Sequence, residues 1–254
     1  MRRILILGGT TEARLLAERL AARRDLAVTL SLAGRTANPL VQPVPVRSGG
    51  FGGAEGLAAY LTRERVDELI DATHPYAAAM SAHAVAAAKS AGVALLALRR
   101  PSWVAVAGDH WIDAKDGGAA VQALGEAPRR VFLALGRNDL APFAAAPQHF
   151  YLVRSVDPVE PPLAVPHACY LTGRGPFAQA DEQQLLEAHN IEIVVCKNSG
   201  GDATYGKIAA ARVLGRTVVM LRRPALPAVP AVATIADALV WIDHGHAPSA
   251  VRDV

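Results

Sequence analysis

The chain has 254 residues, of which 52% are hydrophobic and 19% are charged, so it can bury a large core and is expected to be globular. Its formal net charge of only +3 argues against a nucleic-acid partner. The two cysteines lack metal-ligand spacing, and the apolar run after Met1 ends at Gly8, too early for a signal peptide. These features predict a soluble cytoplasmic protein that uses neither a membrane nor a metal.

The first twenty residues predict a strand, a glycine turn and a helix. Arg3–Leu7 is a short apolar run, Gly8–Thr11 is a turn, and Glu12–Leu20 has the spacing of an amphipathic helix. The N–H groups that begin such a helix suit a phosphate. The strict dinucleotide fingerprint has three glycines, and only the first, Gly8, is present. The turn alone therefore leaves nucleotide binding and a purely structural role equally open.

The end of the second predicted strand bears on the choice of cofactor. After Leu26–Leu32 the chain carries Arg35 and no acidic residue at the position that meets the adenosine ribose. An acid there suits the 2′-hydroxyl of NAD, whereas an arginine accommodates the 2′-phosphate of NADP. An ordinary solvated arginine is the alternative. At this distance from the glycine turn, Arg35 favours NADP over NAD.

Two further strands of the first half end in unusual loops. Pro43–Arg47 resembles an edge strand because of its prolines, and it leads into the glycine-rich loop Ser48–Gly53. Glu68–Thr73 is a buried strand that ends at His74 and Tyr76. In an open parallel sheet, ligands bind outside the carboxyl ends of the strands, which is where these side chains are predicted to lie.

The segment Arg99–Trp103 marks a change to a second unit that repeats the βα pattern. We therefore predict two α/β domains, 1–98 and 99–254, with the last helix, 234–244, packing on either of them. Cations of the second unit lie at or just after predicted strand ends and indicate an electropositive cleft for a polyanionic substrate: Arg137, Arg154, Arg174 and Lys197.

If NADPH binds, hydride transfer is the expected chemistry. A tyrosine followed four residues later by lysine is absent, since Tyr76 is followed at that spacing by Met80 and Tyr60 by Glu64. No Gly-x-Ser-x-Gly motif occurs either. Reduction of a C=C or C=N bond in a polyanionic substrate is the chemistry that is left.

Six short motifs in a fixed order resemble those of the precorrin-6A reductase family of cobalamin (vitamin B12) biosynthesis, over essentially the whole chain. They are Leu7–Ala13, Gly49–Gly53, Asp71–Ala77, Arg99–Trp103, Gly173–Phe177 and Lys197–Gly201. The resemblance implies two Rossmann-like parallel-sheet domains with NADPH and a polycarboxylate macrocycle in the cleft between them. It also implies reduction of one double bond of precorrin-6A to give precorrin-6B.

The same resemblance assigns cofactor-binding roles residue by residue. The pyrophosphate would be held by Gly8, Gly9, Thr10 and Thr11. The 2′-phosphate region would comprise Ser31, Gly34 and Arg35. The nicotinamide side would be lined by Gly49, Gly50, Phe51, Gly52, Thr73 and His74.

Substrate and proton-transfer roles follow in the same way. The substrate carboxylates would meet Arg174, Gly175, Lys197, Asn198 and Ser199. The proton would come from His74, Tyr76, Lys197 or a bound water. Cobalt-precorrin-6A as substrate with NADH or NADPH, and a non-catalytic NADP-binding module, are the alternatives; the protein is expected to be a monomer or a small homo-oligomer.

Overall fold

The computed structural model describes residues 1–34 and 40–244. From the N-terminus, strands and helices alternate as β1 (Arg2–Leu7), α1 (Thr11–Ala21), β2 (Leu26–Leu32), β3 (Val46–Ser48), α2 (Gly53–Arg63), β4 (Glu68–Asp71), α3 (Ala78–Ala91) and β5 (Ala94–Leu98). The later elements are β6 (His110–Ala114), α4 (Gly117–Leu124), β7 (Arg130–Ala134), β8 (Phe150–Ser155), β9 (Ala168–Thr172), α5 (Gln179–Ala188), β10 (Ile193–Lys197), α6 (Gly206–Val213), β11 (Thr217–Leu221), β12 (Ala231–Val232) and α7 (Ile235–His244).

The chain divides into two compact units. Unit 1 holds Met1–Arg100 together with the chain from Pro224 onward, and unit 2 holds Pro101–Arg223. The limits predicted from the sequence, 1–98 and 99–254, differ from this division mainly at the C-terminal end. The chain returns to unit 1 there because β12 pairs with β5 and α7 buries Ala238 and Ile242 in the core cluster that also contains α1.

Each unit is built on one six-stranded parallel sheet. The strand order is β3-β2-β1-β4-β5-β12 in unit 1 and β9-β8-β7-β10-β11-β6 in unit 2. The order in unit 1 is that of the doubly wound dinucleotide-binding fold, in which ligands bind at the carboxyl ends of the strands where the winding reverses. Unit 2 arranges β7, β8, β9, β10 and β11 in the same way, but its outer strand next to β11 is β6, which comes first in that unit. The predicted α/β class with two parallel sheets is confirmed.

The central strand of unit 1 shows why a parallel sheet forms here. All of Ile4–Leu7 is buried, as expected for a strand covered on both faces. Ile4 and Ile6 pack into the cluster of α1 and α7, whereas Leu5 and Leu7 pack into the cluster of α2 and α3. With both faces filled by helices, the carboxyl ends of the strands are where the loops of unit 1 can meet a ligand.

Candidate active site

The turn between β1 and α1 is held by hydrogen bonds that leave its second glycine exposed. Thr10 caps α1, since its Oγ1 accepts from the backbone N–H of Ala13 at 3.1 Å and donates to the carbonyl of Ala72 at 2.8 Å. Gly8 donates its N–H to the carbonyl of Ser31 at 2.9 Å. Gly9 is exposed and has φ +112°, a conformation that L side chains rarely adopt.

This local geometry fits a pyrophosphate. The first N–H groups of α1 have no acceptor within the helix, and they lie at the positive end of its dipole. A Cβ at residue 8 would lie 2.6 Å from Leu30 Cδ1, so Gly8 allows the turn to lie close against β2. Thr11, the first residue of α1, is exposed at the same end of the helix.

The end of β2 has a different arrangement from the one predicted. Ser31 is only 5% exposed, and its Oγ lies 3.4 Å from Nη1 of Arg47, which donates to it. Gly34 is exposed with φ +70°. Arg35, predicted to bind the 2′-phosphate, lies outside the described residues. Arg47 was not singled out from the sequence, although its place directly beside Ser31 in the β2–β3 register makes it part of this region.

The glycine-rich loop after β3 is organised by the same arginine. Arg47 donates from Nη1 to the carbonyl of Gly49 at 2.5 Å and from Nη2 to the carbonyl of Gly50 at 2.6 Å. Its guanidinium also lies over the ring of Phe51, 3.7 Å from the centroid. Gly52, with φ +80°, then begins α2 as its N-cap. Three of the predicted cofactor residues of this loop, Gly49, Gly50 and Phe51, therefore contact the guanidinium of Arg47.

The loop after β4 is anchored by a buried carboxylate. Asp71 is 5% exposed; its Oδ1 accepts from the N–H of Thr73 at 3.2 Å and from the Thr73 hydroxyl at 2.6 Å, while its Oδ2 accepts from the Ser81 hydroxyl at 2.6 Å. The backbone N–H of Tyr76 donates to Nδ1 of His74 at 3.3 Å, and the two rings lie 5.5 Å apart. Asp71 thus holds the start of the loop that presents His74 and Tyr76.

The described cofactor candidates of unit 1 share one edge of one sheet. They lie on the loops that follow β1, β2, β3 and β4, which are neighbours in the order β4-β1-β2-β3. Because the strands are parallel, their carboxyl ends meet at the same edge, where the winding of the sheet reverses. The sequence-based grouping of these loops agrees with the topology, and the role of each residue in it stays a prediction.

In unit 2, two of the predicted substrate loops contact each other. The backbone N–H of Phe177 donates to the carbonyl of Ala203 at 3.1 Å, and a Cβ at residue 175 would lie 3.0 Å from that same carbonyl oxygen. Gly175 is therefore needed for close contact between the loop after β9 and the loop after β10. Arg174, between these contacts and β9, is exposed.

The loop after β10 is tied down by its own polar side chains. Lys197 Nζ lies 2.6 Å from Asp139 Oδ2 in an ion pair. The Asn198 amide pairs with the backbone of Trp103, since its Oδ1 accepts from the Trp103 N–H at 2.8 Å and its Nδ2 donates to the Trp103 carbonyl at 2.9 Å. Ser199 donates its backbone N–H to the carbonyl of Lys197 at 2.8 Å. The side-chain amide of Asn198 thus fixes the loop to the backbone of Trp103, a structural role that the sequence did not predict.

Arg154, expected among the cations of an electropositive cleft, has another role. It forms a two-point ion pair with Glu182, at 2.5 and 2.8 Å, with side chains only 10% and 3% exposed. Its guanidinium also lies 3.7 Å from the ring centroid of Phe177. A cation that is buried and neutralised in this way adds little to a surface for anions, so this expectation was wrong for Arg154.

Buried groups near α6 also depart from ordinary titration behaviour. Lys207 is 4% exposed, and its Nζ donates to the carbonyl of Thr204 at 2.5 Å. Burial lowers the pKa of Lys207 and raises the pKa of the neighbouring thiol of Cys196. In residues 1–34 and 40–244, no group of three or more His, Cys, Asp or Glu side chains is placed to hold a metal ion. No helix in the described part of the chain is long and apolar enough to cross a membrane.

Two doubly wound parallel sheets, one with a glycine turn where its winding reverses, define a Rossmann-like α/β protein. The family model described as precorrin-6x reductase CbiJ/CobK matches residues 3–243. The chain therefore belongs to the precorrin-6x reductase family, a family of oxidoreductases.

Individual relatives agree with this assignment. A precorrin-6A reductase from Sinorhizobium sp is 54% identical over 247 residues, which cover 97% of this chain and 95% of that protein. A solved structure of CobK precorrin-6A reductase matches with a TM-score of 0.91 and 51% identity, covering 98% of this chain and 99% of that one. A cobalt-precorrin-6A reductase from Salmonella typhimurium is 28% identical over 234 residues, covering 87% of each chain.

Proposed function

We propose that this protein reduces one double bond of precorrin-6A, giving precorrin-6B in cobalamin biosynthesis, with NADPH as the reductant. The match of the reductase family over residues 3–243 carries the proposal. The identity of 54% to a precorrin-6A reductase, against 28% to a cobalt-precorrin-6A reductase, favours the metal-free substrate.

Unit 1 is the cofactor-binding unit in this proposal. The exposed turn at Gly9 and the Thr10-capped start of α1 would hold the pyrophosphate. The loops after β2 and β3 would meet the adenosine end, and the loop from Thr73 would lie on the nicotinamide side. This proposal moves Gly49–Gly52 from the nicotinamide side, to which the resemblance assigned them, because Arg47 joins Gly49 and Gly50 to Ser31. The geometry that supports this division is the shared carboxyl edge of β4, β1, β2 and β3.

Unit 2 would supply contacts to the acetate and propionate groups of the macrocycle. Arg174 is exposed on the loop after β9 and suits a carboxylate through its forked donors. Lys197 is half-buried and already paired with Asp139, so a substrate carboxylate would compete with that acid. Ser199 is half-buried on the same loop and can donate a hydroxyl hydrogen bond.

NADPH supplies the hydride of such a reduction, and the protein has to supply the accompanying proton. Of the predicted donors, His74 is the one to test first, because it lies on the loop that follows β4 at the proposed cofactor edge. The backbone N–H of Tyr76 donates to Nδ1 of His74, so Nε2 is the nitrogen that would deliver a proton to the substrate. We expect His74→Gln to lower kcat by a much larger factor than it raises the Kd for NADPH; an unchanged kcat would leave Tyr76, Lys197 or a bound water as the donor.

The decisive experiment incubates the purified protein with precorrin-6A and NADPH and follows the absorbance of the macrocycle. Reduction shortens its conjugation and raises the product mass by that of a hydride and a proton. Parallel assays use NADH and cobalt-precorrin-6A. Faster turnover with NADH would overturn the cofactor, and turnover of the cobalt substrate alone would overturn the metal-free substrate. Stabilisation by NADPH without turnover of either substrate would identify a non-catalytic NADP-binding module.

A further inference from the structure

Arg47 lies at the ligand-binding edge of unit 1, and neither the motifs nor the family resemblance gave it a role. It lies in β3, the edge strand next to β2, and its Cα is the register partner of Ser31. Its side chain reaches toward the carboxyl ends of these two strands, where it contacts Gly49 and Gly50. This is the end at which a doubly wound sheet meets the adenosine ribose of a dinucleotide.

The guanidinium is fixed in place before any ligand arrives. Two carbonyl oxygens, of Gly49 at 2.5 Å and Gly50 at 2.6 Å, and the Ser31 hydroxyl at 3.4 Å accept its hydrogen bonds. The ring of Phe51 lies 3.7 Å below it and that of Tyr60 at 5.3 Å. A cation on an aromatic face is attracted by the negative charge of the ring face. Ordering Arg47 in advance removes an entropy cost from binding.

The charge of Arg47 is nevertheless uncompensated by an acid. Throughout residues 1–34 and 40–244, no carboxylate forms an ion pair with it, and all of its acceptors are neutral oxygens. The three contacts also leave part of the five-donor fork of the guanidinium available. A half-buried, oriented arginine with spare donors is suited to an anion, and to a phosphate above all because of its forked geometry.

We propose that Arg47 determines the preference for NADPH over NADH by binding the 2′-phosphate of the cofactor. Ser31 then acts as a positioning residue, since its buried hydroxyl accepts from Arg47 Nη1. The inference rests on the proposed function, because it requires the dinucleotide to bind at the carboxyl edge of unit 1. The inference adds to that function the residue that binds the 2′-phosphate of the dinucleotide.

The test compares dissociation constants of the purified full chain for NADPH and NADH, and for 2′,5′-ADP and 5′-AMP, by isothermal titration without substrate. Loss of a charge-assisted contact predicts that Arg47→Gln weakens NADPH and 2′,5′-ADP by about tenfold or more. NADH and 5′-AMP should change by less than about twofold, because they lack the phosphate. The matched control is Arg63→Gln, since Arg63 lies 5.2 Å from the same Tyr60 ring but at the other end of α2; it should leave all four constants unchanged.

Three outcomes would overturn the assignment. Equal losses of affinity for NADPH and NADH in Arg47→Gln would show that Arg47 only orders its loop. An unchanged ratio of the two dissociation constants would show that Arg47 does not bind the 2′-phosphate. A phosphate-specific loss in Arg35→Ala but not in Arg47→Gln would give the role to Arg35. If the wild-type protein bound none of the four ligands, the proposed function itself would fail.

A folding control keeps the test decisive. If Arg47→Gln does not fold by circular dichroism, Arg47→Lys is used in its place. Lysine keeps the charge but not the planar fork, so the NADPH-to-NADH preference should fall severalfold. An unchanged preference in that folded variant would overturn the assignment equally.

Discussion

Five successive strands have the same arrangement in the two units, but the loops at their ends are held by different means. In unit 1, the loops after β1 to β4 are held mainly by backbone carbonyls, hydroxyls and one buried carboxylate, Asp71. In unit 2, two cations near strand ends are bound to acids: Arg154 to Glu182 and Lys197 to Asp139. Arg47, at the end of β3 in unit 1, donates to neutral oxygens instead.

The difference shows that a count of cations is a poor guide to an anion site. Both units contain basic residues near strand ends, and the sequence makes them look equivalent. A cation neutralised by a buried acid serves the fold, whereas a cation held by neutral oxygens keeps its charge for a ligand.

The largest effect is expected from breaking the buried pair of unit 2. Glu182→Gln leaves the Arg154 charge buried and uncompensated, so we expect a loss of about 3–5 kcal/mol in the free energy of unfolding. Urea unfolding followed by circular dichroism measures it. The control is Asp113→Asn, which removes an exposed pair with Arg222, 3.6 Å apart with side chains 60% and 64% exposed, and should cost less than about 1 kcal/mol. Equal losses would contradict the structural role of Arg154.

A smaller effect is expected in the glycine turn of unit 1. Thr10→Ala removes both the cap of α1 and the hydrogen bond to the carbonyl of Ala72, with an expected cost of about 0.5–2 kcal/mol. NADPH binding should weaken as well, because the helix start would be less ordered. Thr10→Ser keeps the hydroxyl and is the control in both unfolding and binding measurements. Full NADPH affinity in Thr10→Ala would show that the cap does not order the site.

Acidification is expected to affect unit 2 through one buried imidazole. His149 is fully buried, and its Nδ1 accepts from the N–H of Arg129 at 3.1 Å. Burial lowers the pKa of His149 from 6.5, so the unfolded state binds the proton more readily. The stabilisation is therefore complete above about pH 6.5 and is lost as the pH falls toward the lower pKa of the folded state.

The measurement is the free energy of unfolding against pH for the wild type and His149→Gln. Between neutral and mildly acidic pH, the free energy of unfolding should fall less in the variant than in the wild type. This holds whatever the stability of the variant at neutral pH. Superimposable slopes in the two proteins would rule out His149 as the source of the decline.

The smallest change in stability is expected for Asp139→Asn, because the Lys197–Asp139 pair is partly exposed. We expect less than about 1 kcal/mol in the free energy of unfolding. The informative readout is the KM for the macrocycle, which should fall because Lys197 no longer has an acid competing with substrate carboxylates. Lys197→Gln should raise it instead. A rise in both variants would mean that Asp139 positions Lys197 productively.

Local patterns predicted the first half of the fold well. The strand–turn–helix at the N-terminus, the edge strand near Arg47 and the buried strand from Glu68 all occur, because apolar runs, glycines and prolines act locally. β12 was not predicted, since it comprises only Ala231–Val232 and exists through pairing with β5. The predicted helix from Ala203 begins at Gly206, after a loop that contacts Phe177.

The site was harder to predict than the fold for a physical reason. A glycine-rich turn can be recognised from a few adjacent residues, whereas the role of a charged side chain depends on partners that are distant in the sequence. Glu182 neutralises Arg154 from 28 residues away, and Arg47 meets Ser31 only through the register of β2 and β3. Neither contact can be inferred from the spacing of residues that are close together in the sequence.

The sixth strand of unit 1 has a consequence for how the protein is made. β12 follows the whole of unit 2 along the chain, yet it completes the sheet that β1 begins. Ribosomes release the chain from its N-terminus, and domains usually fold as they emerge. The sheet of unit 1 therefore keeps an open edge at β5 until β12 has been translated, which happens only after the whole of unit 2.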